Sequence, residues 1–474
     1  MNSTVSTLLL LLLVVFSLVM TGQAAYTVYL MLFTWDRDED YEAAGAPRTF
    51  HPPHISFTAL LPAHHEEEVI GYTLERVMHA NYAPDLLEAI VICAKDDAGT
   101  IAAAQATVER LAHDGIGGAR VLVFEDTQLN KPHRLNVALP QARGQVITIF
   151  DAEDEIHPDL FNVVNTVMRA EGVRVVQSGV QLMNFDSRWF SALNVLEYYF
   201  WFKSRLHAHA KNGMTPLGGN TIFFDAALLR QLGGWDETNL TEDADIGIRL
   251  SAMGERVRVV YDDRYVTKEE TPPTLRGFIK QRTRWNQGFL QTLGKGSWRT
   301  VPKLSNRLMA LYILAFPFIQ TVLALYVPAS IAMMILVKLP VLATLILFLP
   351  SYALFAHYLL SVVGLREFVQ AHGLHMPRGP RLRLGRWGFT LPVPAYPSLH
   401  LMVTFFPYQW ALGIAAMRSV WRELRGKKNW EKTAHVGAHR QHAENLATSA
   451  PPAHGTLNQE DEKSMACSLR AGSD

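Results

Sequence analysis

Long apolar runs toward both ends of the chain restrict its architecture more than any short motif does. "STLLLLLLVVFSLVM" continues through "YTVYLMLFTW", which is long enough to cross a bilayer with some tilt. Apolar residues crowd again over 308–364 and 395–417, whereas 50–300 reads as a water-soluble enzyme. The pattern predicts an N-terminal transmembrane anchor over 1–35, a soluble domain over 50–300, and membrane segments over 308–418. "TGQAA" offers small residues for a signal-peptide cut. No Lys or Arg precedes the run, however, and it carries on past those residues, so a retained anchor is expected.

Charge is informative by placement rather than by total. Lys plus Arg (44) balance Asp plus Glu (44), which argues against a dedicated nucleic-acid binder. Basic residues precede the second apolar block (Lys295, Arg299, Lys303, Arg307), recur over 366–386, and follow the last apolar segment from Arg418 to Lys432. The positive-inside rule puts all three stretches in the cytosol, and with them the soluble domain. Residues 308–364 then make two spans, leaving 395–417 too short to leave and return. That segment is re-entrant or interfacial, helped by Pro397 and Pro407, or 308–364 holds three short spans and one loop breaks the rule. The two cysteines, Cys93 and Cys467, imply no disulfide framework. Residues 433–474 have few large apolar residues, and disorder is expected there.

Between 54 and 262 short β-rich runs alternate with helical patterns, the signature of an α/β domain with a largely parallel sheet. The expected strands are "ISFTALLP", "EAIVICAK", "RVLVFE", "QVITIF", "VRVVQSGV", "NTIFF" and "RVRVVY". Ligands of such sheets gather at the carboxyl ends of the strands.

Acidic clusters follow those strand ends. "VITIF" runs into "DAEDEIHPDL", so Asp151 and Glu153, with Asp154 beside them, could share one hard divalent cation and leave positions open for phosphate oxygens. The alternative is an acidic turn before a helix starting near Pro158. "EAIVICAK" ends likewise in "DDAG", with Asp96 and Asp97, and "NKPHRLNVAL" offers Lys131 and Arg134 to phosphate. "TEDADIGIRL" predicts a helix from Thr241 with Ile246, Leu250 and Met253 buried. Glu242, Asp243 and Asp245 crowd its first turn, where the helix dipole favours the ionised form; they are either N-terminal stabilisers or a general base toward a sugar hydroxyl. "HHEEE" at 64–68 is discounted as a metal site, because no further ligand stands at a zinc spacing.

"TPPTLRGFIKQRTRWNQGFLQTL" predicts a proline-started helix with Leu275, Phe278, Trp285 and Phe289 at helical spacing. Gln281, Arg284 and Trp285 lie at i, i+3 and i+4 and form one patch. A Trp face stacks on a sugar ring, Gln bonds hydroxyls, and Arg neutralises a diphosphate. Lys280, Arg282, Arg284 and Trp285 equally suit an interfacial helix against anionic headgroups.

In this order, "LLPAHHEEEVIGYTLE", "DDAG", "KPHRLNVAL", "DAED", "TED" and "QRTRW" resemble the inverting family-two glycosyltransferases, in their membrane-embedded cellulose-synthase-like and hyaluronan-synthase-like branch. The resemblance covers roughly 54–293. The metal motif departs from D-x-D, since Asp151-Ala-Glu153 stands there, which leaves Glu153 or Asp154 as the second contact. Either Asp96 or Asp97 matches the nucleotide-contacting aspartate. The resemblance implies a GT-A-type, Rossmann-like glycosyltransferase domain flanked by transmembrane helices in the plasma membrane, acting on a UDP- or GDP-sugar with Mg2+ or Mn2+. It implies Asp243 as base with Glu242 beside it, Asp151 and Glu153 at the metal, and Lys131 and Arg284 at the diphosphate. Gly218 and Gly219 of "PLGGN" would border the acceptor path with Gln281 and Trp285. A growing β-linked polysaccharide is the expected acceptor, with an accessory export protein as a possible partner; a single lipid acceptor is the alternative. A transporter or non-catalytic nucleotide-sugar binder is a third reading.

Overall fold

The computed structural model describes residues 3–35, 38–125, 130–336, 341–376, 381–384, 389–392, 398–427 and 431. The chain divides into two units, Met1–Gly437 and Ala438–Asp474. The second, and with it nearly all of the expected disordered tail, lies outside the described residues.

All seven expected strands form. They are β1 (Phe57–Pro62), β2 (Leu87–Ala94), β3 (Ala119–Phe124), β4 (Val146–Ile149), β5 (Val175–Ser178), β7 (Ile222–Asp225) and β8 (Val257–Val260), in the order β3-β2-β1-β4-β7-β5-β8. Two short strands, β6 (Val180–Leu182) and β9 (Thr267–Glu269), pair separately. Among the described strands of the seven-stranded sheet, only β7 runs antiparallel to its neighbours. A parallel sheet is stable when both faces are covered, and strand alternation does this here. Ala89, Val91 and Cys93 of β2 enter one core with Phe57 and Phe161, while Ile90, Ile92 and Ala94 enter the other. That second core continues without a break into Leu365, Phe368, Leu401 and Tyr408, so it binds the sheet domain to the apolar C-terminal helices.

The apolar helices begin at the other end of the sequence with α1 (Ser3–Leu32), whose Leu10–Leu32 stretch is long and apolar enough to cross a membrane. The amphipathic helix α2 (Leu275–Lys295) starts at Thr274, whose hydroxyl accepts the Gly277 N–H at 3.1 Å. It leads to α3 (Leu304–Leu314) and α4 (Phe316–Leu336), bent by 53° at their junction, which together could form one span. Helix α5 (Val341–Ala371) is a second membrane-length helix among the described residues. The segment expected to re-enter or lie at the interface forms one helix, α6 (Ser398–Leu424), continuous through Pro407 and packed along α2 and α4.

Candidate active site

The carboxyl ends of β1, β2 and β4 share one edge because those strands are parallel. The antiparallel β7 brings a loop to the same edge from the opposite direction. Thr221 donates its N–H to the Ile149 carbonyl at 2.8 Å, so "PLGGN" meets "DAED" there. Thr221 holds φ at 52°, a left-handed conformation that costs a β-branched residue roughly 1–3 kcal/mol. The strain fixes the direction of Asn220, whose amide donates to Asp154 Oδ2 at 2.8 Å and also to Glu269.

That bond divides the acidic motif. Asp154 is fully buried; burial, then Glu269, Asp151 and Glu153, push its carboxyl well above the ordinary range. It also accepts the Asp151 N–H at 2.8 Å, closing the turn. Asp151 and Glu153 face the cavity and Asp154 does not. Lys131 Nζ lies 2.5 Å from Asp151 Oδ1 and donates to the Gly219 carbonyl at 2.9 Å. Although burial opposes its charge, Asp151 and Glu242 raise the Lys131 ammonium above its usual value.

The helix α7 (Glu242–Ala252) begins at Thr241, as its composition predicts. Ile246 and Leu250 are buried, but Met253 caps the helix end and is 44% exposed, so the expected stripe stops one turn early. Glu242 and Asp243 open onto the cavity. Burial raises the Glu242 carboxyl to about 7 against the pull of Lys131, and burial likewise raises Asp243. Asp245 instead pairs with Arg249 at 2.9 Å and Lys295 at 2.9 Å. A Cβ on Gly219 would stand 3.5 Å from Asp243 Oδ2, so the loop backs directly on that carboxylate.

Gln281, Arg284 and Trp285 of α2 line the same cavity. Gln281 Oε1 is buried with no hydrogen-bond partner among the described residues, an acceptor available to a ligand hydroxyl or amide. Arg282, expected at lipid headgroups, turns inward. Its guanidinium lies 2.5 Å from Glu197 and 4.4 Å from the Trp285 ring centroid, bracing that ring from behind by cation–π contact. Glu197 and Glu269 are site residues that no local pattern marks, and Asn220 closes the "PLGGN" stretch in which only the glycines were expected at the site.

Three residues expected at the ligand, Asp96, Asp97 and Arg134, are not among those lining the cavity. Asp97 caps the helix Ala98–His113 by accepting the Thr100 N–H, and takes the His65 N–H at 2.6 Å. Against burial, those donors lower its pKa. Asp96 beside it is exposed. Arg134, read as a phosphate contact, is 5% exposed and lies near Cys93 and Asp97, where burial lowers its pKa. The third ligand that "HHEEE" lacked in sequence comes from the turn after β2: a ring nitrogen each of His64 and His65 and an Asp97 oxygen lie within 4.8 Å of one another.

Besides the carboxylates that face it, the cavity, about 540 Å3, is lined by Trp201, Arg205, Tyr312, Leu323 and His357. Its inner end gathers Asp151, Glu153, Glu242 and Asp243 around Lys131 and Arg284. This excess of acidic oxygen suits a hard divalent cation with a diphosphate better than it suits zinc.

A family model described as glycosyltransferase-like family 2 matches residues 52–288, half of the chain. The chain is 25% identical over 278 residues to a poly-beta-1,6-N-acetyl-D-glucosamine synthase from Staphylococcus epidermidis, covering 58% of this chain and 63% of that protein. It is 26% identical over 243 residues to a beta-monoglucosyldiacylglycerol synthase from Synechocystis sp., covering 50% and 49%. The matches thus span about half to under two thirds of these relatives' own length. Among solved structures, a mannosyltransferase from Pyrobaculum calidifontis in complex with GDP-mannose and Mn2+ superposes with a TM-score of 0.50 at 19% identity, over 87% of this chain and 99% of that one. The shared fold is the GT-A type.

Proposed function

Because the chain belongs to the glycosyltransferase-like family 2, we propose that it moves a hexose from a nucleotide-sugar donor, with inversion, onto a hydroxyl of an acceptor lying in the cavity. The observation that carries this reading is the convergence of Asp243, Lys131, Arg284 and Trp285, from separate segments, on one cavity wall. In this mechanism Asp243 takes the proton of the acceptor hydroxyl as the oxygen attacks the anomeric carbon from the face opposite the diphosphate. Lys131 and Arg284 offset the charge gathering on the departing diphosphate. Asp151 and Glu153 would hold Mg2+ or Mn2+, which supplies further neutralisation of that charge. Glu242 keeps Lys131 charged, and Asp97 shapes the loop that presents exposed Asp96 to the nucleoside. Gly218 and Gly219 let the backbone approach the acceptor, which stacks on Trp285 while Gln281 accepts from one of its hydroxyls.

An α-linked donor then gives a β-linked product. Continuation of the cavity from Trp285 between the membrane-side helices supports a growing β-linked chain as acceptor. The apolar walls beyond Trp285, at Leu323, Ala324 and Leu354, favour a second reading, one sugar added to a lipid. Incorporation from radiolabelled nucleotide sugars by membranes carrying wild type or Asp243→Asn, with divalent cation or chelator, tests the activity. Metal-dependent product from one donor is expected, falling about 10²- to 10⁴-fold in the variant. Near-normal turnover by folded Asp243→Asn would remove the assigned base, and product length separates polymer from single transfer.

The same reading makes the protein integral to the plasma membrane, with its catalytic domain cytosolic. Basic residues Lys295, Arg299, Lys303 and Arg307, beside the first helix of the second apolar block, support that orientation. Labelling of single cysteines at 299 and 303 by an impermeant reagent only after cells are opened is the expected result; labelling of intact cells would reverse the topology.

A further inference from the structure

The membrane-side half of the cavity holds a cation that the transfer mechanism does not use. Arg205 closes a π-helical turn, Trp201–Arg205, and such turns often place a functional side chain by inserting an extra residue into a helix. Its Nε is buried with no hydrogen-bond partner among the described residues, and its side chain lines the cavity. The groups whose charge bears on it are Glu197 and Tyr312. Glu197 is already engaged by Arg282. None of the four carboxylates at the inner end is among them, so Arg205 stands apart from the donor subsite.

Its height relative to the bilayer follows from its neighbour. Ser204 donates to the Leu30 carbonyl at 2.9 Å and accepts the Thr34 N–H at 3.2 Å, which pins the turn to the end of the Leu10–Leu32 span. The cavity there is also lined by His209, Tyr312 and His357. Burial, then Arg205, push the His209 imidazole down to about 3, so it stays neutral at physiological pH. Farther out the walls become Ile319, Leu323, Ala324 and Leu354. A guanidinium whose buried Nε has no acceptor leaves a costly unmet donor, and an anion with several acceptor oxygens relieves that cost.

We propose that Arg205, with Tyr312 and His209, forms a subsite for the phosphoryl group of an amphiphile whose apolar chain lies along α4 and α5. Its identification as the acceptor, or as the acceptor's lipid carrier, rests on the transfer reading above; the binding does not. The phosphoryl chemistry could come from a lipid headgroup or from a soluble phosphate, and two probes distinguish them.

The test is binding of dodecyl phosphate, inorganic phosphate and the uncharged dodecanol to full-length protein in nanodiscs, followed by tryptophan fluorescence and calorimetry. Dodecyl phosphate is expected to bind saturably, more tightly than dodecanol. Its affinity should fall at least about tenfold in Arg205→Gln, as for the loss of a charge-assisted hydrogen-bonding group, and be largely retained in Arg205→Lys. Inorganic phosphate binding with the same Arg205 dependence would support the subsite with a soluble anion as its source. Equal binding by wild type and Arg205→Gln, or no preference of either phosphate probe over dodecanol, would overturn it. Retention of thermal unfolding by the Lys variant separates loss of binding from loss of fold. Because the readout needs no donor sugar, failure of transfer and failure of this subsite are told apart.

Discussion

At the scale of single residues, the site works by holding carboxylates of different protonation against one another. Asp154, pushed up by burial and by Glu269, holds the turn, while Asp151 and Glu153 face the cavity. Burial also raises Glu242, to about 7, and Asp243 with it. A base acts only when deprotonated, so activity of the free enzyme is lost as pH falls through the raised range of Asp243. The account predicts an ascending limb in log kcat/KM whose midpoint lies above the ordinary aspartate range, because burial raises Asp243. A limb that falls only at or below the ordinary aspartate range would contradict it. The acidic residues were legible in the sequence because each follows a β-rich run. Asn220, Glu269 and Arg205 were not, because each acquires its meaning from partners far along the chain. Asp154 reads in the sequence as an alternative metal contact for the same reason: the bonds from Asn220 and from the Asp151 N–H hold it in the turn.

Between elements, a close crossing of α2 over the start of α7 decides the geometry. A Cβ on Gly288 would come within 2.6 Å of Thr241 N and 2.7 Å of Thr241 Cβ, so only glycine lets the Trp285 helix settle against the residue that precedes Glu242 and Asp243. Overpacking of this kind costs about 1–3 kcal/mol. Gly288→Ala is expected to lower kcat roughly tenfold or more by moving Thr241, while the melting temperature falls only modestly; full activity would show that the crossing is not needed. Strands and helix starts were legible from periodicity and capping residues, as at Thr241 and Thr274. The antiparallel sense of β7 was not, since a four-residue strand carries no sign of its direction. That sense brings Gly218, Gly219 and Asn220 to the edge where β4 ends. The inward turn of Arg282 was hidden similarly: a cation three residues before a tryptophan reads alike at a lipid interface and above an ion pair with Glu197.

For the molecule as a whole, the apolar blocks at its two ends announced a membrane protein, and the alternating middle announced the sheet. What they left hidden is the cavity, because Gln23, Lys131, Asp243, Tyr312 and His357 line it together although they are spread over more than 300 positions of the chain. The core that joins Phe224 and Tyr199 to Phe368 and Tyr408 makes the catalytic domain and the C-terminal helices one packed body around it. On the proposed reading, an acceptor in that cavity meets both Trp285 and Asp243, which line it together. The central claim is that its hydroxyl attacks in a single displacement. The most direct measurement is proton NMR of the newly formed anomeric centre, using an α-linked donor labelled with carbon-13 at C1 and the acceptor on which transfer is observed. The account predicts a β-linkage, with no α-linked product; an α-linked product would contradict single displacement by Asp243.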